Sequence, residues 1–212
     1  LFAADGNVPI NKNGSCYVEL TSKDLDRIET IKTLFSLSVR TSTRTDQHER
    51  NRRYRIQVGS KSFVEELSRL GFGPRKSKRL QFPKLPDRLF AAFVRGYFDG
   101  DGNVMFKHYC RKARTIPSPF FRVVFTSCSG EFLSRLLEKL RKRGVVRKGS
   151  VRSEADFYRL VLAPRDSLSL GQFMYNGFRC KATPFVLARK QRIFAAARTF
   201  YRERTKQKPQ GV

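Results

Sequence analysis

Tryptophan is absent, histidine and methionine occur twice each, and the four cysteines stand far apart at positions 16, 110, 128 and 180. There is no C-x-x-C pair, and only His48 and His108 are available to join the thiols, which argues against a structural zinc site. Scattered thiols with no secretory signal predict a reduced intracellular protein, cytoplasmic or organellar. Long apolar runs are also missing: none approaches the roughly 18 residues of a membrane span, so no membrane partner is expected. Negative charge is scarce. Eighteen Asp and Glu face 44 Lys and Arg, a formal charge of +26, and a phosphate backbone is the commonest partner that rewards such a surface. Residues 1–95 hold 19 basic and 10 acidic side chains and residues 96–212 hold 25 and 8, so the excess belongs to both halves and not to a basic tail.

What the chain does have is one short phrase twice. Leu1-Phe2-Ala3-Ala4-Asp5-Gly6-Asn7-Val8 opens it, and Tyr97-Phe98-Asp99-Gly100-Asp101-Gly102-Asn103-Val104 recurs ninety-six residues later. Duplication at that distance implies two similar units, each bringing one carboxylate to the same structural position. The chain begins inside the phrase, without Met, and this predicts a trimmed N-terminus. The elements after each copy run in the same order. Cys16, Val18 and Leu20 alternate as a strand. A helix capped by Ser22 carries Leu25, Ile28, Ile31, Leu34 and Phe35 on one face, strands follow over Val39–Arg44 and Arg53–Val58, and a helix through Phe63 and Leu67 stops at Gly71. In the second half the matching elements are a strand over Arg122–Thr126, a helix over Glu131–Arg143, strands over Val145–Arg152 and Phe157–Leu162, and a helix over Ser167–Tyr175. A last helix over Phe185–Tyr201, with Pro184 in its first turn, precedes a basic tail. Pro83 and Pro86 mark the junction, giving units at 1–82 and 83–204 and a tail at 205–212.

With Asp87 as N-cap, Leu89 through Asp99 read as a helix that Gly102 ends. Ala92, Gly96 and Gly100 recur every four residues along it, and Ala4 takes the place of Gly100 in the first copy, so two helices can pack backbone to backbone. That packing sets Asp5 and Asp101 side by side at the negative ends of two helix dipoles, an unfavourable place for two acids unless cations sit between them. Carboxylates of this kind suit Mg²⁺ (or Mn²⁺), which takes one or two of them and leaves its other positions to water and phosphate. An EF-hand does not fit the phrase, because Val104 and Cys110 stand where glycine and the bidentate Glu are required.

The segment Val94-Arg95-Gly96-Tyr97-Phe98-Asp99-Gly100-Asp101-Gly102 resembles the nine-residue motif of the LAGLIDADG homing endonucleases, and Leu1 to Gly6 resembles its last six positions. The resemblance implies an α+β fold of two pseudo-symmetric αββαββα half-domains packed through the motif helices, each with a saddle-shaped antiparallel sheet over DNA. It implies a monomer that cuts both strands of a long double-stranded DNA site with Mg²⁺ or Mn²⁺. It assigns the metal-binding acids to Asp5 and Asp101, beside Ala4 and Gly100. Asp99, matched by Ala3 in the other copy, is expected to be dispensable. The family also tends to place a basic residue near each metal centre after the last helix of each half; here Lys76 and Lys181 are the candidates, with Lys78 and Lys190 as alternatives.

Strand alternation supplies the DNA-facing set: Arg40, Ser42, Arg44, Arg53, Arg55 and Gln57 in the first half, and Lys107, Tyr109, Arg111, Arg122 and Arg159 in the second. Asn11, Lys12, Arg147 and Lys148 complete it. Arg and Gln on a β-ribbon can read guanine and adenine in the major groove, although a phosphate contact is the commoner use of any one of them. A rival reading keeps the fold without cutting, as an intron RNA maturase or a transcription regulator. An intein origin is disfavoured, since the flanks carry neither a splicing nucleophile nor a terminal His–Asn pair.

Overall fold

In the computed structural model, residues 1–45, 52–74, 76–109, 118–176 and 186–206 are described. The first acidic phrase forms a single helical turn, α1 (Phe2–Asp5), and runs directly into strand β1 (Gly6–Asn7). Strand β2 (Val18–Ser22), helix α2 (Leu25–Leu34), strands β3 (Ser42–Arg44) and β4 (Arg53–Val58) and helix α3 (Lys61–Arg69) follow. After a 3-10 turn at Lys76–Lys78, the second copy begins with α4 (Asp87–Asp101) and continues through β5 (Gly102–Tyr109), β6 (Ser118–Ser127), α5 (Gly130–Lys142), β7 (Ser150–Ser153), β8 (Tyr158–Leu162) and α6 (Pro164–Asn176). Helix α7 (Ala188–Lys206) runs past position 205, where the tail was expected to begin; Pro184 lies outside the described residues.

Each unit is built on a four-stranded antiparallel sheet, in the orders β1-β2-β4-β3 and β5-β6-β8-β7. The registers repeat residue for residue: Thr21 pairs with Arg55 and Leu20 with Ile56, as Thr126 pairs with Arg159 and Phe125 with Leu160. Register is strongly specified here because Leu20, Ile56, Phe125 and Leu160 are all buried on the helix side, and a slip of one residue would turn them to solvent. Two strands are shorter than the alternation implies. β3 starts at Ser42 rather than Val39 and β7 at Ser150 rather than Val145; Val145 and Val146 are buried outside the ladder, following the turn at Gly144 (φ +67°).

Local chemistry explains the helix ends. Ser60 caps α3 by accepting from the Phe63 N–H, and Ser129 caps α5 by accepting from the Phe132 N–H. Ser22 does not cap α2: it ends β2, and its Oγ accepts from the Asp24 N–H, as Ser127 Oγ accepts from Ser129 N–H. Gly71 ends α3 with φ +83°, in the left-handed region that glycine adopts without strain. Gly102 ends α4 differently. Its backbone is extended, and glycine is required because a Cβ there would lie 2.1 Å from the Phe98 ring.

The main core is shared. Phe90, Val94, Tyr97 and Phe98 of α4 are buried against Phe121, Phe125 and Phe132 of the second unit, and the same cluster takes in Val18, Leu67 and Leu80 of the first. The first unit keeps only a small cluster of its own, Leu20, Ile28, Ile31 and Ile56. Beside α1 an apolar cavity of about 340 Å³ opens between Phe2, Ile31, Phe35, Phe63 and Ala92.

Candidate active site

The small-residue stripe brings the two acids together. A Cβ added to Gly100 would fall 2.3 Å from the Ala4 Cβ and 2.8 Å from Asp5 Oδ2, and one added to Gly96 would fall 2.7 Å from the Leu1 nitrogen. α1 and α4 therefore touch backbone to backbone, with Asp5 and Asp101 at their adjoining C-terminal ends. Loss of solvent around the pair, reinforced by Asp5, pushes the Asp101 carboxyl up to about 6. Asp5 is also raised, because burial outweighs the pull of Arg27, whose guanidinium lies 3.5 Å from Asp5 Oδ2. Among the described residues no group of three or more His, Cys, Asp and Glu could cage a metal. Two carboxylates at a polar surface fit a cation that keeps most of its shell for water and phosphate, as Mg²⁺ does.

Two lysines flank the acids in matching positions. Lys76 is buried with its Nζ 5.6 Å from the centre of the Phe2 ring, and Lys190 is buried with its Nζ 4.8 Å from the Phe98 ring. Phe2 and Phe98 are the same position of the two phrases, so Lys190, the alternative candidate, stands as Lys76 does; Lys181 lies outside the described residues. Burial lowers the Lys76 amine, and Asp101 and Asp5 pull it back. Lys190 is lowered to about 8, again chiefly by burial, with Asp99 acting in the opposite direction. Its Nζ donates to the carbonyls of Phe98 (2.6 Å), Asp99 (2.9 Å) and Gly102 (2.5 Å) and so satisfies the open end of α4.

Asp99 is not the idle residue its mismatch with Ala3 implied. It is buried at the seam, 2% exposed, and its Oδ2 accepts from the Leu187 N–H at 3.4 Å. Its backbone carbonyl accepts from both Lys190 and Arg27. Arg27 escaped the sequence reading because it sits beside Ile28 and Ile31 on the buried face of α2, where a long cation passes for a solvated flank. Matching Ser22 to Ser127 would have flagged it, since Phe132 takes the corresponding place in the second half.

Register assigns the candidate DNA-facing residues to one face of each sheet. Ser42 and Arg44 lie opposite Arg55 and Arg53, and Lys107 and Tyr109 lie opposite Phe120 and Ser118. Arg53 lines a polar cavity of about 490 Å³ together with Asp5 and Arg27. Several of these side chains already have partners. Arg55 (3.4 Å) and Gln57 (3.0 Å) both bond Glu19, Arg122 stacks on Phe120, and Arg159 pairs with Glu154 at 3.0 Å. Asn11 and Lys12 are exposed in the β1–β2 loop, and Arg40 is exposed just before β3. Arg147 and Lys148 lie outside the strands in a turn that Asp166 anchors through their backbone N–H groups. Arg152, directly opposite Arg159, belongs to this face and was not anticipated. Arg111 lies outside the described residues.

Comparison with known proteins agrees with this architecture. Residues 1–71 match the family model described as a LAGLIDADG-like domain. The meganuclease I-SmaMI bound to uncleaveable DNA superposes with a TM-score of 0.60 at 14% identity, over 98% of this chain and 91% of that one. The homing endonuclease I-LtrWI bound to its target DNA gives 0.62 at 12%, over 98% and 89%. The N-terminal LAGLIDADG domain of DUF199/WhiA gives 0.54 at 15%, over 91% and 82%. In sequence, a probable translation initiation factor IF-2 from Thermococcus kodakarensis is 29% identical over 171 residues, which is 77% of this chain and 13% of that protein. Residues 1–71 thus match a LAGLIDADG-like domain, and the fold of the chain, two antiparallel sheets joined through paired motif helices, is the one these solved structures share.

Proposed function

We propose that this protein is a site-specific endonuclease that hydrolyses both strands of double-stranded DNA with the help of a divalent cation. The observation that carries the reading is the meeting of Asp5 and Asp101 at a seam of small residues, between two sheets whose exposed strand faces are rich in Arg and Lys. Asp5 and Asp101 would hold Mg²⁺ or Mn²⁺, one acid for each strand. When bound, such a cation activates water and stabilises the charge on the leaving oxygen. The chain's own groups supply the rest. Lys76, buried beside Asp101, presents a donor toward the scissile phosphate, and Lys190 holds the end of α4 so that Asp101 keeps its aim. The strand faces bind the phosphate backbone and present Arg and Lys to base edges. No protein nucleophile is required.

The test is a supercoiled plasmid carrying the rejoined DNA that flanks the gene, incubated with Mg²⁺ or with EDTA. Linear product should appear only with the metal. Asp101→Asn should abolish double-strand cutting and keep its affinity for the same DNA at low salt; loss of both together would make Asp101 a structural residue. A second reading has one observation in its favour, a likeness over 91% of this chain to a domain whose name carries no nuclease activity. Tight binding of the site with no cutting under any divalent metal would establish that reading, with DNA or intron RNA as the ligand.

A further inference from the structure

The two halves of the acidic site differ, and the difference traces to one residue. Ser22 and Ser127 are twins in the duplicated strands, both buried and both accepting from the N–H two residues ahead. Five positions further along, the first half has Arg27 and the second has Phe132. The Phe132 ring is fully buried, 4.6 Å from Tyr97 between centroids. Arg27 instead reaches the seam, where its Nη1 lies 3.5 Å from Asp5 Oδ2 and 3.3 Å from the Asp99 carbonyl. It joins the acid of one unit to the motif helix of the other. Asp101 is exposed and has no ion pair within 4 Å among the described residues. The polar cavity beside Asp5 is lined by Lys23, Arg53 and Arg189 together with Asp24 and Asp99, and Arg189 is itself paired with Asp24 at 3.7 Å, which leaves Arg27 as the cation in contact with Asp5.

Resting on the endonuclease reading, we propose that Arg27 is a positioning residue that makes Asp5 the weaker cation site and Asp101 the stronger, so that the two strands are cut in order and not together. A guanidinium one hydrogen-bond length from a carboxylate oxygen occupies a direction from which a cation would bind, and its charge repels that cation. Phe132 can do neither at Asp101.

Mn²⁺ titration of the full chain without DNA, followed by the paramagnetic signal of the free ion, tests this directly. Wild type should bind in two unequal events, about tenfold apart. Asp101→Asn should delete the tighter event and Asp5→Asn the weaker. Arg27→Gln should bring the two within about twofold, whereas Arg27→Lys, which keeps the charge, should retain the gap. If Arg27→Gln fails to fold, the two aspartate variants decide the matter alone. Two equal events in wild type, or a gap that survives Arg27→Gln, would overturn the proposal. A protein that linearises plasmid in Mg²⁺ and yet binds Mn²⁺ in two equal events would keep the endonuclease reading and lose this one; absence of both cutting and Mn²⁺ binding would remove both.

Discussion

Asp101 is held where its charge is costly to the fold. Its carboxyl is raised from an ordinary value of 3.8 to about 6, first by lost solvation and then by Asp5. Between those two values the folded, metal-free chain keeps a proton that the unfolded chain has released. The stability tied to this group is therefore present below about pH 3.8 and declines as pH rises through about 6. Asp101→Asn removes the charge, so the variant should melt at a higher temperature than wild type at pH 8 in EDTA and match it near pH 4. Thermal scans at the two pH values check this, and saturating Mg²⁺ should narrow the gap at pH 8 by stabilising the wild type more than the variant, which keeps only the Asp5 site. A residue that weakens the apo protein and is retained in both copies of the phrase is what a binding site needs, since local strain is tolerated where a ligand relieves it. Lys190 is the opposite case, a buried cation whose three carbonyl bonds hold the end of a helix.

At the scale of elements, the contact of α1 with α4 is the joint on which the site depends. Its tolerance is small: a methyl group at Gly100 would meet the Ala4 Cβ at 2.3 Å and Asp5 Oδ2 at 2.8 Å. Gly100→Ala should therefore destabilise the protein by about 1–3 kcal/mol, seen as a lower denaturant midpoint, and should impair metal binding by forcing the acids apart. Gly59 has open space around it, and a methyl group there would meet nothing within 4 Å. Gly59→Ala should change the midpoint little and serves as the control. The joint was legible in the i, i+4 recurrence of Ala92, Gly96 and Gly100, because only small side chains at that spacing allow two helix backbones to meet. The duplicated strands were equally legible, since Tyr54-Arg55-Ile56 and Tyr158-Arg159-Leu160 share one alternation. Strand ends were less so. Val39, Val145 and Val146 read as strand because they are β-branched, yet they fill core space beside the sheets without pairing.

The whole molecule presents a surplus of 26 positive charges, and register sets much of it along the outer faces of two sheets. Counterion release should then dominate affinity. If six or more phosphates are contacted, binding of duplex DNA should weaken by roughly a thousandfold or more between about 50 and 200 mM salt. Wild type and Asp101→Asn should share that slope, because in the proposed function the acid would hold the cation and leave the backbone to the strand faces; fluorescence anisotropy across a salt series measures both. The core is distributed unevenly over the same molecule. The aromatic cluster on α4 takes in Val18, Leu67, Phe72 and Leu80 of the first unit, which adds a smaller aliphatic cluster of Leu20, Ile28, Ile31 and Ile56.

Period and repetition are local properties of a chain. The residues alone therefore determined the duplicated units, the alternating strand faces, the paired acids and the basic character of the surface. Tertiary structure decided everything that depends on which side chain arrives from elsewhere. It placed Lys190 over Phe98 as the counterpart of Lys76, buried Asp99 against the Leu187 amide, and turned Arg55 and Gln57 toward Glu19. It also set Arg27 against Asp5, twenty-two residues away in the chain, at the point where the second unit has a phenylalanine. Such contacts leave no periodic trace, because each depends on the meeting of two segments whose spacing in the chain carries no information about their distance in space.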